Sequence, residues 1–321
     1  MKRYALFYLV FFVLILLLAG CAAQKEEKVP DSLQQLHHEI AALKKAINES
    51  PELEGTLKYK LGQRMFALQK KEAELGGVTP EDAPFLLDDP GNDVGILLIH
   101  GFTATPWEVK ELGDHLFQRN ITVWAPLLDG HATSPEDLQE TSWQEWNELV
   151  GESYEGLGHM VDKVYVGGVS MGSVLSLALA ANAQEKPAGI VAVSTPIYMK
   201  EKGAYFASFV ESFVEYSAAA PKTNEEKGHY YEKIPTAAVA EMMELIEYAK
   251  QSMKNIHEPI LIIQSLEDPR VESKSVDFID REVQSRDKRI FWYSKGPHVI
   301  IRGDDKEEIF TEIAAFIDQT K

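Results

Sequence analysis

The chain has 321 residues, with 50 Asp and Glu against 32 Lys and Arg, a formal net charge of −18 and a single cysteine. Such an acidic balance, with no Lys/Arg-rich run beyond the extreme N-terminus, argues against a nucleic-acid partner, which needs clustered cations to neutralise phosphates. One cysteine excludes an intrachain disulfide and any thiolate metal cluster.

In chain order, Lys2 and Arg3 supply a positive start, and Tyr4 to Leu18 is an uninterrupted apolar run that ends in Leu18-Ala19-Gly20-Cys21. The run is shorter than the ~20 residues a spanning helix needs, and small residues precede the cysteine. Residues 1–21 therefore read as a lipoprotein signal peptide resembling the bacterial lipobox pattern, with Cys21 as the acylated residue. The expectation is an exported domain anchored by lipid at a bacterial cell membrane, or at the outer membrane if the cell has two; acyl chains bind at ~0.8 kcal/mol per buried methylene.

Residues 22–83 read as a polar tether followed by a helical hairpin. Leu33, Leu36, Ile40, Leu43 and Ile47 recur at alternating spacings of three and four, with Asp31 or Ser32 as N-cap. After the Asn48-Glu49-Ser50-Pro51 break, Leu53, Leu57, Leu61, Met65, Leu68 and Leu75 form a second stripe closed by Gly76-Gly77. The first stripe covers about two heptads, fewer than the ~3–4 that mark a coiled coil. A hairpin packed on itself or on the following domain is favoured; self-association or a protein partner through residues 31–77 stays open.

From Pro84 the period changes. Strands are expected at Phe85–Leu87, Val94–Ile99, Ile121–Ala125, Lys163–Val166, Gly189–Val193, Pro259–Gln264 and Lys288–Tyr293. Helices are expected between them, near Trp107–Arg119, Trp143–Gly156, Met171–Ala183, Val271–Val283 and Lys306–Gln319. Continuous apolar strands alternating with helices predict an α/β domain over residues 84–321, with a mostly parallel sheet covered on both faces. Residues 196–254 interrupt the alternation. No strand is expected there, only amphipathic helical patterns carrying Tyr198, Tyr205, Phe209, Phe213, Tyr230 and Tyr231. An insertion at that point lies over the carboxyl ends of the strands, where open α/β sheets bind ligands; it reads as a lid whose aromatics line an acyl pocket or hold the lid to the body.

Val164-Tyr165-Val166-Gly167-Gly168-Val169-Ser170-Met171-Gly172 places Gly-x-Ser-x-Gly between an apolar strand and a helix. A serine at so sharp a turn takes a strained backbone and needs glycine on both sides, and the turn lifts the hydroxyl above the sheet. Acyl transfer then needs a base, a group to orient it and donors for the oxyanion. Of the nine histidines, His229, His257 and His298 follow Ser170. His229 falls in the lid and His257 before a strand, at the far end of the sheet. His298 follows the last strand, at the active edge, and is the expected base. Asp268, held in a loop by Pro269, is favoured over its neighbour Glu267 as the orienting acid. The backbone N–H groups of Met171 and of Phe102, in His100-Gly101-Phe102-Thr103, are the expected oxyanion donors.

With these residues in view, the chain from about Pro84 onward resembles the bacterial carboxylesterases and monoacylglycerol lipases of the α/β-hydrolase superfamily. The resemblance rests on His100-Gly101-Phe102-Thr103, Gly130-His131, the elbow at Ser170, Asp268 and His298-Val299-Ile300. It implies the α/β-hydrolase fold, a Ser170–His298–Asp268 triad, hydrolysis of short- to medium-chain esters or monoacylglycerols through an acyl-enzyme, and no metal or cofactor. Two local departures stand out: Gly130-His131-Ala132 where the group often has Gly-His-Gly, and Gly296-Pro297 before the histidine where it usually has Ser-Gly. Acyl transfer to another acceptor and thioester cleavage would use the same residues. A non-catalytic surface lipoprotein on a hydrolase scaffold is the alternative of a different kind.

Overall fold

The computed structural model describes residues 30–49, 53–207, 214–219 and 223–321. Cys21, the apolar leader, Phe209 and Phe213 lie outside them. Among the described residues no helix is long and apolar enough to cross a membrane.

The sheet has seven strands: β1 (Phe85–Leu87), β2 (Val94–Ile99), β3 (Thr122–Ala125), β4 (Lys163–Val169), β5 (Gly189–Val193), then Ile260–Ser265 and Lys288–Tyr293. In spatial order they run β1-β3-β2-β4-β5, followed by the Ile260–Ser265 and Lys288–Tyr293 strands. All neighbours are parallel except β1 and β3, which pair antiparallel with Leu86 opposite Trp124. Successive side chains point to opposite faces of a strand, so each strand feeds two cores. Leu97, Val166, Ile190 and Ile262 enter one cluster, while Ile96, Tyr165, Val191 and Ile263 enter the other.

Helices α1 (Asp31–Glu49) and α2 (Glu54–Leu75) form the expected hairpin. From Leu36 onward α1 belongs to the same compact unit as α2 and the sheet. Next come α3 (Lys110–Phe117), α4 (Pro135–Gln139), α5 (Trp143–Gly158) and α6 (Met171–Asn182). Residues Pro106–Val109 form a 3-10 turn ahead of α3, where the sequence suggested one continuous helix. Helix α5 starts at a capping box: the Glu145 N–H donates to Ser142 Oγ, and Ser142 N–H to Glu145 Oε2 at 2.7 Å.

Helix α2 seats on α5 and on the end of β3. Gln69 links the three, donating to Ser153 Oγ at 2.8 Å and accepting from Trp124 Nε1 at 3.1 Å. The Phe66 ring meets Trp124 edge-on at 5.4 Å, and Tyr59 donates to Asp88. The hairpin is therefore docked on the α/β body through its second helix, the reading favoured from the sequence.

Residues 196–254 divide into two parts. Strands β6 (Tyr216–Ala218) and β7 (Lys233–Pro235) form an antiparallel ribbon, a correction to the expectation of no strand there. Three-residue strands are too short to show a period-2 pattern. Helix α7 (Thr236–Ser252) buries Ala238, Leu245, Ile246 and Ala249 in the core cluster that also holds α6. It is part of the body, whereas Tyr230 and Tyr231, in the cover segment ahead of it, reach the loop after β2. The remaining elements are β8 (Ile260–Ser265), α8 (Lys274–Glu282), β9 (Lys288–Tyr293) and α9 (Lys306–Thr320).

Candidate active site

At the end of β4 the chain reverses into α6 through Ser170, whose φ of 52° and ψ of −120° lie in a region L-residues rarely occupy. The flanking glycines are required by close approach. A Cβ on Gly172 would stand 2.1 Å from the Ile99 carbonyl oxygen, and one on Gly168 would stand 2.4 Å from the Gly172 carbonyl carbon. The strained turn is tied down by Ser170 N–H donating to Val193 O at 2.9 Å, and by Ser173 Oγ donating to Ser170 O at 2.6 Å.

Ser170, His298 and Asp268 meet in space. His298 Nε2 lies 2.8 Å from Ser170 Oγ, and His298 Nδ1 lies 2.9 Å from Asp268 Oδ2. Pro297, just before His298, does not keep the ring from reaching either partner. Asp268 is fully buried, whereas Glu267 is exposed. The Asp268 carboxylate is saturated with donors: Oδ1 takes the N–H groups of Arg270 (2.8 Å) and Val271 (3.0 Å), and Oδ2 also takes Gln264 Nε2 (2.9 Å). Burial alone would raise this carboxyl, but the hydrogen bond and charge of His298 and the two backbone donors carry it below its ordinary value. Nothing in the sequence marked Gln264, which is one more residue of an apolar strand.

The imidazole can thus take the serine proton while a buried carboxylate holds its other nitrogen, which is what a serine nucleophile needs. Met171 opens α6, so its N–H has no intrahelical acceptor. Phe102 lies in the turn after β2. Among the described residues, neither N–H donates to an acceptor.

The loop carrying Phe102 is held on several sides. Gly101 N–H donates to Glu108 Oε2 at 2.7 Å. His100 is buried, with Nδ1 2.9 Å from Gly101 O and Nε2 accepting from Leu128 N–H at 3.1 Å. Thr103 has a φ of 64°, a β-branched residue in the left-handed region, strained by ~1–3 kcal/mol. His131 is also buried; its Nδ1 lies 3.0 Å from Asp129 O, and its ring lies edge-on to His100 and Phe102. Burial pushes His131 down to about 4, and burial together with the nearby His131 puts His100 well below its usual value, so both are neutral. His131 is a buttress of the loop. Ala132 has a φ of 59°, in the left-handed region that favours glycine.

His229 and His257 stand away from the serine: His229 pairs with Asp82, and His257 precedes β8. A groove of about 490 Å³ is lined by Trp143, Tyr205, Met243, Glu247 and Tyr248. Its lining includes none of Ser170, His298, Phe102 or Met171. Among the described residues no group of three or more His, Cys, Asp or Glu is placed to hold a metal ion.

A mostly parallel sheet with a strand–serine–helix elbow, and a histidine after its last strand, defines an α/β hydrolase. The family described as "Serine aminopeptidase, S33" matches residues 92–227, which include the elbow. A carboxylesterase of Bacillus subtilis (strain 168) is 28% identical over 246 residues, 75% of this chain and 98% of its own length. A thermostable monoacylglycerol lipase of Bacillus sp. (strain H-257) is 30% identical over 225 residues, 70% of this chain and 90% of its own. Among solved structures, a metagenome-derived lipolytic enzyme described with LipS and LipT superposes with a TM-score of 0.71 at 25% identity, covering 75% of this chain and 99% of that one. The monoacylglycerol lipase of Paleococcus ferrophilus shares the fold at a TM-score of 0.63 and 17% identity, over 74% and 98%. The chain belongs to the carboxylesterase and monoacylglycerol lipase group of α/β hydrolases, and is a serine hydrolase of esters.

Proposed function

We propose that the protein hydrolyses short- to medium-chain carboxylic esters or monoacylglycerols through an acyl-enzyme on Ser170. His298 Nε2 takes the Ser170 proton as Oγ attacks the carbonyl carbon. The resulting oxyanion is met by the N–H groups of Phe102 and Met171. Collapse expels the alcohol, which receives that proton from His298. Water then attacks the acyl-enzyme with His298 again as base, releasing the acid and restoring Ser170. Asp268 keeps the proton on Nδ1 and stabilises the imidazolium. The observation that carries this reading is the unbroken Ser170 Oγ, His298 Nε2, His298 Nδ1, Asp268 Oδ2 line at 2.8 and 2.9 Å.

Ser170→Ala should abolish both fluorophosphonate labelling and hydrolysis of p-nitrophenyl butyrate, with turnover down by as much as ~10⁶. Near-normal hydrolysis by that variant would overturn the assignment. Acylation at Cys21 would place the enzyme at a lipid surface, where monoacylglycerols partition; the leader sequence supports this. Mass spectrometry of the mature N-terminus decides it: a diacylglyceryl-modified Cys21 is expected, and an unmodified or retained leader would refute it.

A further inference from the structure

One buried carboxylate has no part in the chemistry above. Glu108 is 2% exposed, in the 3-10 turn that leads into α3, where the positive end of a helix favours an anion. Its two oxygens face different segments. Oε2 accepts the Gly101 N–H at 2.7 Å, and Oε1 accepts the phenol of Tyr230, in the cover, at 2.7 Å. The next cover residue grips the same loop further on. Tyr231 N–H donates to Thr103 O at 3.2 Å, and its phenol donates to Gly130 O at 2.7 Å. Gly101 and Thr103, the two neighbours of Phe102, are thus each pinned from outside, and both pins lead to the Tyr230-Tyr231 pair.

The direction of the Phe102 N–H is set by rotation of the Gly101–Phe102 peptide. The carbonyl of that peptide is held from the inside, Gly101 O lying 2.9 Å from His100 Nδ1 and accepting the Ala104 N–H at 3.2 Å. The bond from Gly101 N–H to Glu108 fixes the preceding peptide, the pivot on which the Gly101–Phe102 peptide turns, and glycine at that pivot supplies little restraint of its own.

Resting on the ester-hydrolase reading, we infer that Glu108 is a positioning residue: it orients the Phe102 N–H toward the oxyanion and, through Tyr230, couples that orientation to the seating of cover residues 228–232. The tyrosine pair holds the oxyanion loop when the cover is docked and releases it when the cover lifts. An oxyanion donor acts in the transition state and little in the ground-state complex. Disturbing the clamp should therefore lower kcat and leave KM largely alone.

The test uses the full chain with Glu108→Ala, Glu108→Gln and Tyr230→Phe, comparing ester kinetics with hydrogen exchange of segments 100–104 and 228–232. Complete loss of one donor costs ~10²–10³, so Glu108→Ala should lose roughly ten- to a hundredfold in kcat, with KM within about twofold. Exchange should quicken in both segments. Glu108→Gln can present its amide oxygen to Gly101 and its NH₂ to the Tyr230 oxygen, and should recover most of the loss. Folded Glu108→Ala turning over at the wild-type kcat would overturn the inference, as would glutamine giving no rescue. Should the alanine variant fail to fold, Tyr230→Phe decides: faster exchange in both segments supports the coupling, and a change confined to 228–232 refutes it. A wild-type protein that neither labels at Ser170 nor cleaves esters would instead sink the ester-hydrolase reading, and the exchange data would still decide the clamp.

Discussion

Replacing Gly62 with alanine tests whether the hairpin is built into the catalytic body. Gly62 lies on the face of α2 that meets α5. A Cβ there would stand 2.4 Å from the Gly156 carbonyl oxygen and 2.4 Å from Met160 Cγ. Met160 can swing aside, but the Gly156 oxygen is helix backbone, so α2 or α5 must back away. Overpacking of this kind costs ~1–3 kcal/mol. The greater helix propensity of alanine returns ~1 kcal/mol, which leaves a net loss of up to ~2 kcal/mol. At ~2.1 cal/mol/K of unfolding entropy per residue, a chain of this length shifts by ~1.5 °C per kcal/mol, so the melting temperature should fall by up to ~3 °C. Gly151 is the internal control: it lies on α5 with nothing within 4 Å of its would-be Cβ, so Gly151→Ala should raise stability by up to ~1 kcal/mol. Thermal unfolding of the two variants, followed by near-UV circular dichroism, should shift in opposite directions. If Gly62→Ala proved as stable as Gly151→Ala, α2 would not press on α5 near Gly156, and the hairpin would be a free stalk.

Asp268→Asn should lower kcat by ~10³–10⁴, since an amide in place of the carboxylate no longer holds the reactive His298 tautomer; a loss under tenfold in p-nitrophenyl ester turnover would argue against its role. The two buried neutral histidines set an acid limit on stability. Because His131 sits near 4 and burial holds His100 well below its usual value in the folded chain, the unfolded chain takes up protons the native state refuses as pH falls below ~6.5. Their contribution is intact above that pH. It is lost at up to ~1.4 kcal/mol per pH unit per histidine on the way to pH 4. His131→Gln should flatten the plot of unfolding free energy against pH between 6 and 4.5, and an unchanged slope would show that His131 is not the group titrating.

The elbow is legible in the sequence because its demands are local: two glycines that no larger residue could replace, spaced around a serine between a strand and a helix. His298 is legible by its position after the last strand. Choosing Asp268 over Glu267 rests on one turn, and the structure shows the physical distinction: one carboxylate is sunk among four donors and the other is exposed. Gln264 and Glu108 are another matter. A glutamine inside a strand and a glutamate in the first turn of a helix carry no local signature, because only the tertiary fold brings them to Asp268 and Gly101. The helical period of 236–252 was equally readable from the sequence, but period alone does not say whether a helix covers the sheet end or, like α7, joins the core beside α6. The stripe Leu57, Leu61, Met65 and Leu68 likewise suits a coiled coil as well as a docked helix. The close approach of Gly62 and Gly156, far apart in the chain, separates the two cases.

An Asp–His pair is not by itself a sign of catalysis here, for the described residues contain two. His298 meets Asp268 at 2.9 Å, and His229 meets Asp82 at 2.6 Å; both pairs are largely buried. What separates them is the company of each ring. His298 presents its far nitrogen to Ser170 Oγ at 2.8 Å, while His229 lies flat on Trp107 with centroids 4.1 Å apart and planes within 8°. Asp82 is itself bound to Thr105 Oγ1 at 2.7 Å and Thr79 Oγ1 at 2.8 Å, so this second pair fastens the cover to the loops beneath it. Phenylalanine at position 229 would keep the stack and lose the bond to Asp82. His229→Phe leaves Ser170, His298 and Asp268 in line and should still label with a fluorophosphonate, slowed by no more than the ~10–10² of a loosened oxyanion loop, while its cover residues exchange faster. His298→Phe keeps a ring in the same place and should abolish labelling. Equal losses in the two variants would mean that the Asp82–His229 pair also reaches the chemistry, against the geometry that separates them.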